Sequence, residues 1–216
     1  MIFFYNESSY AQDWPNLERF KEQNKTVDTT VSDNVVFMGN SITQGWSDKN
    51  PEFFSQNHYI NRGISGQTTP QMLIRFRPDV IDLKPAAVVI LAGTNDIAGN
   101  TGPSTLKMIA DNIKSMAELA KAHNIKVIIS SVLPAFDYPW KPGLEPADKI
   151  IELNGMLKEY ALANDMIYLD YFKSMVDDKK GLPKELSDDG VHPTLEGYKV
   201  MEPLVKEAIA EALSEK

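Results

Sequence analysis

The chain contains no cysteine, which removes thiol nucleophiles, iron–sulfur clusters, cysteine-based zinc sites and disulfides together. It also lacks a long apolar run. The longest, Ala86–Ala92, is far too short to cross a bilayer, so no membrane span is expected. Basic residues are outnumbered, 22 Lys and Arg against 30 Asp and Glu, giving a formal net charge of −8. That balance repels nucleic acid and anionic membranes, and no basic cluster denser than Arg75/Arg77 reverses it. There is no internal repeat and no low-complexity tract. What is present is ordinary for a globular chain: 216 residues, 43% hydrophobic and 24% charged, enough to bury a core without staples.

The first residues send mixed signals. Met1–Tyr5 is apolar, but Asn6 and Glu7 interrupt it before a signal-peptide core can form. Ser9-Tyr10-Ala11 ahead of Gln12 nevertheless has the small-x-small pattern of a cleavage site. The expectation is therefore a periplasmic or secreted protein whose signal peptide is truncated upstream, with a cytoplasmic protein carrying a leader as the alternative. A helix is expected at about Trp14–Glu22, with Pro15 in its first turn. Residues 1–30 then form a leader and helix packed on one domain spanning 31–216.

From residue 35 onward, short apolar runs alternate with helical patterns. Val35–Met38, Tyr59–Asn61, Ala87–Leu91, Lys126–Ser130 and Met166–Leu169 read as strands covered on both faces. Residues 70–83, 103–123, 147–163 and 195–213 carry apolar side chains at three- and four-residue spacing, the mark of amphipathic helices. This alternation predicts an α/β fold, a parallel sheet between layers of helices. Ligand chemistry in such folds gathers at the carboxyl ends of the strands.

Four segments at those ends carry candidate chemistry. After the first strand, Gly39-Asn40-Ser41 places a hydroxyl near a helix N-terminus, where backbone N–H groups favour developing negative charge; Ser41 could equally cap that helix. After the second come Gly63 and Gly66, able to bring backbone N–H groups to a ligand or simply to turn the chain. After the third come Asn95, a possible amide donor, and Asp96, a possible loop brace, though both are common turn residues. Before the last helix, Asp189 lies three residues ahead of His192, a spacing at which a carboxylate can accept the imidazole Nδ1–H and free Nε2 to take a proton.

In order and in place, these residues resemble the SGNH hydrolases, also called GDSL esterases/lipases. The four blocks read G-N-S-I-T-Q-G, N-R-G-I-S-G-Q-T-T, A-G-T-N-D and D-G-V-H-P, and the likeness runs from about residue 35 to 210. It is similar to the branch of the platelet-activating-factor acetylhydrolase catalytic subunits and their bacterial esterase relatives. The resemblance implies a three-layer α/β/α sandwich with a five-stranded parallel sheet of the flavodoxin-like kind. It implies Ser41 as nucleophile, His192 as general base and Asp189 as its orienting carboxylate. The backbone N–H groups of Ser41 and Gly66 and the side-chain amide of Asn95 would form the oxyanion hole. The chemistry would be acyl transfer followed by hydrolysis, with no metal and no cofactor. Asn40 stands where the family name has Asp, and is expected to shape the turn rather than to react.

Rival readings fit less well. An α/β-hydrolase elbow, G-x-S-x-G, fails because Thr43 occupies the second glycine's place, and no phosphate-binding glycine loop occurs. A non-catalytic carbohydrate-binding module on the same fold is the remaining non-enzymatic alternative. For substrate, a short acyl ester on a carbohydrate is expected first and a phospholipid-type acetyl ester or lysophospholipid second. Phe136, Tyr138 and Trp140 in the proline-rich stretch 134–146, with Trp46 opposite, are the candidates for walls of the substrate pocket; the alternative is that they anchor the loop to the body.

Overall fold

In the computed structural model, which describes residues 13–214, the apolar runs form one parallel sheet. Its strands are β1 (Val35–Gly39), β2 (Tyr59–Gly63), β3 (Ala87–Leu91), β4 (Lys126–Ser130) and β5 (Ile167–Leu169), in the order β2-β1-β3-β4-β5. Every neighbouring pair is parallel and in register, with Val36 beside both Ile60 and Val88. The chain order reverses between β1 and β3, and in such sheets the ligand crevice lies outside the carboxyl ends of these strands.

Alternation within the central strands feeds two cores. Val36, Met38, Val88 and Ile90 face one layer, built by α4 (Thr69–Asp79), α6 (Leu106–Ala122) and α7 (Ala147–Ala163). Val35, Phe37, Val89 and Leu91 face the other, built by α2 (Ser41–Lys49), α3 (Pro51–Ser55), α8 (Tyr171–Met175) and α9 (Leu195–Ser214). The remaining helices are α1 (Lys21–Asn24), α5 (Thr94–Ala98) and a 3-10 turn at Ile81–Leu83. Among the described residues, no helix is long and apolar enough to cross a membrane.

Three expectations change. The first helix is not at Trp14–Glu22 but is the single turn α1, and Asn16 has φ 59°. The side chains of Gln71 and Gln67 claim the carbonyls of Trp14 and Pro15, both at 2.7 Å, so these groups are bonded outside any helix. Asp13 meanwhile takes the amides of Leu17 and Glu18. Coverage on both faces holds for β1, β3 and most of β4. At the edges, the first three residues of β2 and the first two of β5 are only half-buried. Arg75, half of the densest basic pair, is wholly buried. The leader readings at residues 1–12 lie outside the described residues.

Candidate active site

Ser41 is the first residue of α2, and the cap is Asn40, not Ser41: the Asn40 side chain accepts the Ile42 amide at 2.9 Å. Asn40 thus holds the turn that presents the serine. Gly63 lets α2 approach the end of β2, since a Cβ there would lie 2.2 Å from the Gln44 backbone nitrogen. The Ser41 hydroxyl can point into the crevice because its own helix cap is supplied by its neighbour.

Across the crevice, the turn before α9 is wound around one carboxylate. Asp189 Oδ1 accepts the amides of Val191 at 2.9 Å and His192 at 2.8 Å, and the Ser187 hydroxyl at 3.1 Å. Its Oδ2 lies 2.7 Å from His192 Nδ1, and His192 Nε2 lies 2.9 Å from Ser41 Oγ. Three residues from two distant parts of the chain form one hydrogen-bonded row. Burial raises the Asp189 carboxyl, but the His192 and Val191 donors outweigh it and hold the group down at about 2. The carboxylate is therefore charged at neutral pH and favours the tautomer with the proton on Nδ1. Nε2 then presents its lone pair to the serine hydroxyl. Ser187, which also donates to the His192 carbonyl at 2.8 Å, was not singled out in the sequence. A serine two residues before an aspartate in a turn is too common a pattern to stand out.

The expected oxyanion donors follow the carboxyl ends of β1, β2 and β3. Gly66 has φ 77°, a conformation that suits glycine, and among the described residues neither its N–H nor that of Ser41 has a protein acceptor. Asn95 lies in α5 rather than in a turn; one N–H of its amide goes to the Gln67 carbonyl at 2.9 Å, leaving the other. Asp96 braces more than its own loop. Its carboxylate accepts the Thr69 amide at 2.9 Å and the Thr69 hydroxyl, fastening the third block to the start of α4. Burial pushes the Asp96 carboxyl up to about 6 against the pull of those donors.

The four aromatic candidates separate. Trp46 is not at the site. It is 1% exposed, sandwiched in the core between Phe53 at 4.8 Å and Tyr198 at 5.2 Å, because the helical spacing that points Ser41 outward turns Trp46 inward. Tyr138 is also buried, its hydroxyl bonded to Thr94 at 2.8 Å. It backs Trp140, which stacks on it at 4.9 Å and lies 6.1 Å from the His192 ring. Trp140 and Phe136 are exposed, at 43% and 58%. Beside them runs a groove of about 330 Å³ walled by Phe136, Pro139, Pro142 and Leu182, with Asp189 on its edge.

The sequence profile of the GDSL-like lipase/acylhydrolase family matches residues 37–200, a stretch that holds all four blocks. The chain belongs to that family. Two solved structures are similar throughout. A GDSL-like lipase from Bacteroides thetaiotaomicron is 50% identical, with a TM-score of 0.89 over 92% of this chain and 98% of that one. A Bacteroides fragilis protein provisionally described as an acylhydrolase is also 50% identical, with a TM-score of 0.90 over 94% and 99%. Esterase TesA of Pseudomonas aeruginosa is 28% identical over 76% of this chain and 78% of its own length. Other curated relatives match over less. The similarity spans 33% of lipoprotein YqeF of Bacillus subtilis and 46% of the rat platelet-activating factor acetylhydrolase IB subunit alpha2. The chemistry shared by this GDSL-like family is acyl hydrolysis.

Proposed function

We propose that the protein is a serine esterase that cleaves short acyl esters, acetyl first among them, from a carbohydrate alcohol through an acyl-Ser41 intermediate. The observation that carries this reading is the row Ser41 Oγ, His192 Nε2 and His192 Nδ1, Asp189 Oδ2, at 2.9 and 2.7 Å. His192 takes the Ser41 proton as the hydroxyl oxygen attacks the ester carbonyl. The tetrahedral oxyanion is held by the N–H groups of Ser41 and Gly66 and by the free N–H of Asn95, each donor typically worth a few kcal/mol of barrier. His192 then returns the proton to the leaving alkoxide, and the ester bond breaks. Water, deprotonated by the same imidazole, hydrolyses the acyl-serine and regenerates the enzyme. Asp189 keeps the imidazole oriented and stabilises it while it is charged.

The leaving alcohol must lie on the imidazole side, where Trp140 and the groove beyond it offer flat apolar faces. Such faces suit the C–H side of a sugar ring, and this is the ground for a carbohydrate alcohol. A lipid acetyl ester is the second reading, favoured by the 29% identity to platelet-activating factor acetylhydrolase subunits over 49% of this chain.

Hydrolysis of p-nitrophenyl acetate, butyrate and octanoate, by the native protein and by Ser41→Ala, tests the proposal. Turnover that falls with chain length and vanishes in the folded variant is expected, followed by deacetylation of acetylated xylooligosaccharides. Rates rising toward octanoate would move the assignment to lipid esters. Turnover that survives in Ser41→Ala would remove Ser41 from the chemistry.

A further inference from the structure

We infer that Arg75 is a positioning residue for the oxyanion hole, a single buried guanidinium that sets the geometry of the loops supplying the hole's donors. The inference rests on the acyl-transfer reading above. Arg75 projects from α4 and is completely enclosed. Its Nη1 pairs with Asp79 one turn along the same helix, at 2.9 Å. That pair alone would satisfy the charge. The other donors all go to the catalytic end of the sheet. Nη2 donates to the carbonyls of Gly39 at 3.0 Å and Arg62 at 2.8 Å, and Nε donates to the Gln67 side chain.

Each of these acceptors lies on a segment that leads to an oxyanion donor. Gly39 lies two residues before Ser41, and its carbonyl also takes the Ile64 amide at 3.2 Å. Arg62 leads into the loop that carries Gly66. Gln67 follows Gly66 directly, and its backbone carbonyl holds the Asn95 amide at 2.9 Å. All three donors are therefore attached to one planar group, through at most two residues or one further hydrogen bond. The Gln67 side chain also reaches back to the Pro15 carbonyl, so the segment before α1 is clamped to the same loop. A guanidinium directs its N–H bonds in a fixed fork, whereas an ammonium on a flexible stem cannot hold carbonyls on two strands and an amide at once. Since displacement of catalytic donors by about 1 Å is enough to slow catalysis roughly 100-fold, loss of the fork should appear in turnover rather than in substrate binding.

The test compares Arg75→Lys and Gln67→Leu with the native enzyme on p-nitrophenyl acetate, well below the unfolding temperature of each variant. Arg75→Lys keeps a cation beside Asp79. It is expected to lose about 100-fold in kcat with KM within about twofold. Gln67→Leu leaves the Arg75–Asp79 pair in place and cuts the link to the Gly66 loop, together with the Gln67 bond to the Pro15 carbonyl. It is expected to lose about 10-fold or more in kcat. The double variant should lose no more than Arg75→Lys alone, because both changes break the same link. A residue with only a structural role would lower thermal stability and leave kcat of the folded protein unchanged, and that result would overturn the inference. If Arg75→Lys does not fold, Gln67→Leu decides: native kcat in that variant overturns it equally. Absence of Ser41-dependent turnover in the native enzyme would instead defeat the esterase reading, and the inference with it.

Discussion

At the scale of single residues, the site works by separating the tasks of similar groups. Two carboxylates lie near the crevice, Asp96 buried and Asp189 exposed, and their surroundings drive them apart. Asp189 is held at about 2 by the His192 and Val191 donors, after burial has pushed the other way. Asp96 is raised to about 6 chiefly by burial. One is a permanent anion beside an imidazole, and the other fastens two loops. The aromatic residues divide in the same manner. Tyr138 is a buried support, and Trp140 is the exposed face it supports. Trp140→Ala is therefore expected to lower kcat/KM for an acetylated oligosaccharide by about 5-fold, consistent with an aromatic contact worth around 1 kcal/mol. It should leave ethyl acetate, which has no ring to stack, almost unaffected. Parallel measurements of both substrates check this, and an equal loss on the two would remove Trp140 from alcohol recognition.

At the scale of elements, the close approach of α2 to β2 is what aims Ser41. Gly63→Ala would place a methyl group 2.2 Å from the Gln44 backbone nitrogen and 2.8 Å from the Asn40 carbonyl oxygen, atoms that cannot swing aside. The variant should lose on the order of 2–3 kcal/mol of stability, by the usual penalty for overpacking. Urea unfolding measures it, and native stability would show that α2 can move away freely. The strands and long helices were legible because burial imposes a period on their sequences: α7 was readable at 147–163 and β3 at 87–91 without any structure. Short elements were not. Helices of five residues, such as α3, α5 and α8, carry too few turns to show a period, and the sequence pattern assigns no helix there. The opening segment misled for a different reason, since its backbone partners are glutamine side chains more than fifty residues away. Trp46 misled because proximity to Ser41 in sequence says nothing about which face of α2 it occupies. The candidate row of Ser41, His192 and Asp189 could be named from motif order, whereas Arg75 could not. An arginine in an amphipathic helix reads as a surface charge until its carbonyl acceptors are seen.

At the scale of the whole molecule, the parallel sheet brings together groups 150 residues apart, and the central strands hold them by hydrophobic burial. Burial of Asp96 adds a pH dependence to the stability. Asp96 keeps its proton in the folded protein up to about 6, whereas in the unfolded chain it releases it near 3.8. The folded state therefore binds more protons between these values. The contribution is fully present below about pH 4 and is lost as pH rises through about 6, with a total on the order of 3 kcal/mol. Asp96→Asn removes this titration, so the stability difference between variant and native protein should shift in the variant's favour from pH 4 to pH 7. Denaturant unfolding at several pH values reads the difference directly, and a difference that stays constant would contradict the placement of Asp96 as a buried, raised carboxyl. The assignment of Ser41 as the activated nucleophile of an acylhydrolase is tested most sharply by intact mass after treatment with a fluorophosphonate, followed by peptide mapping. One adduct per chain is expected, located on Ser41 and absent from folded Ser41→Ala. No adduct on the folded native protein, or an adduct that persists in Ser41→Ala, would contradict it.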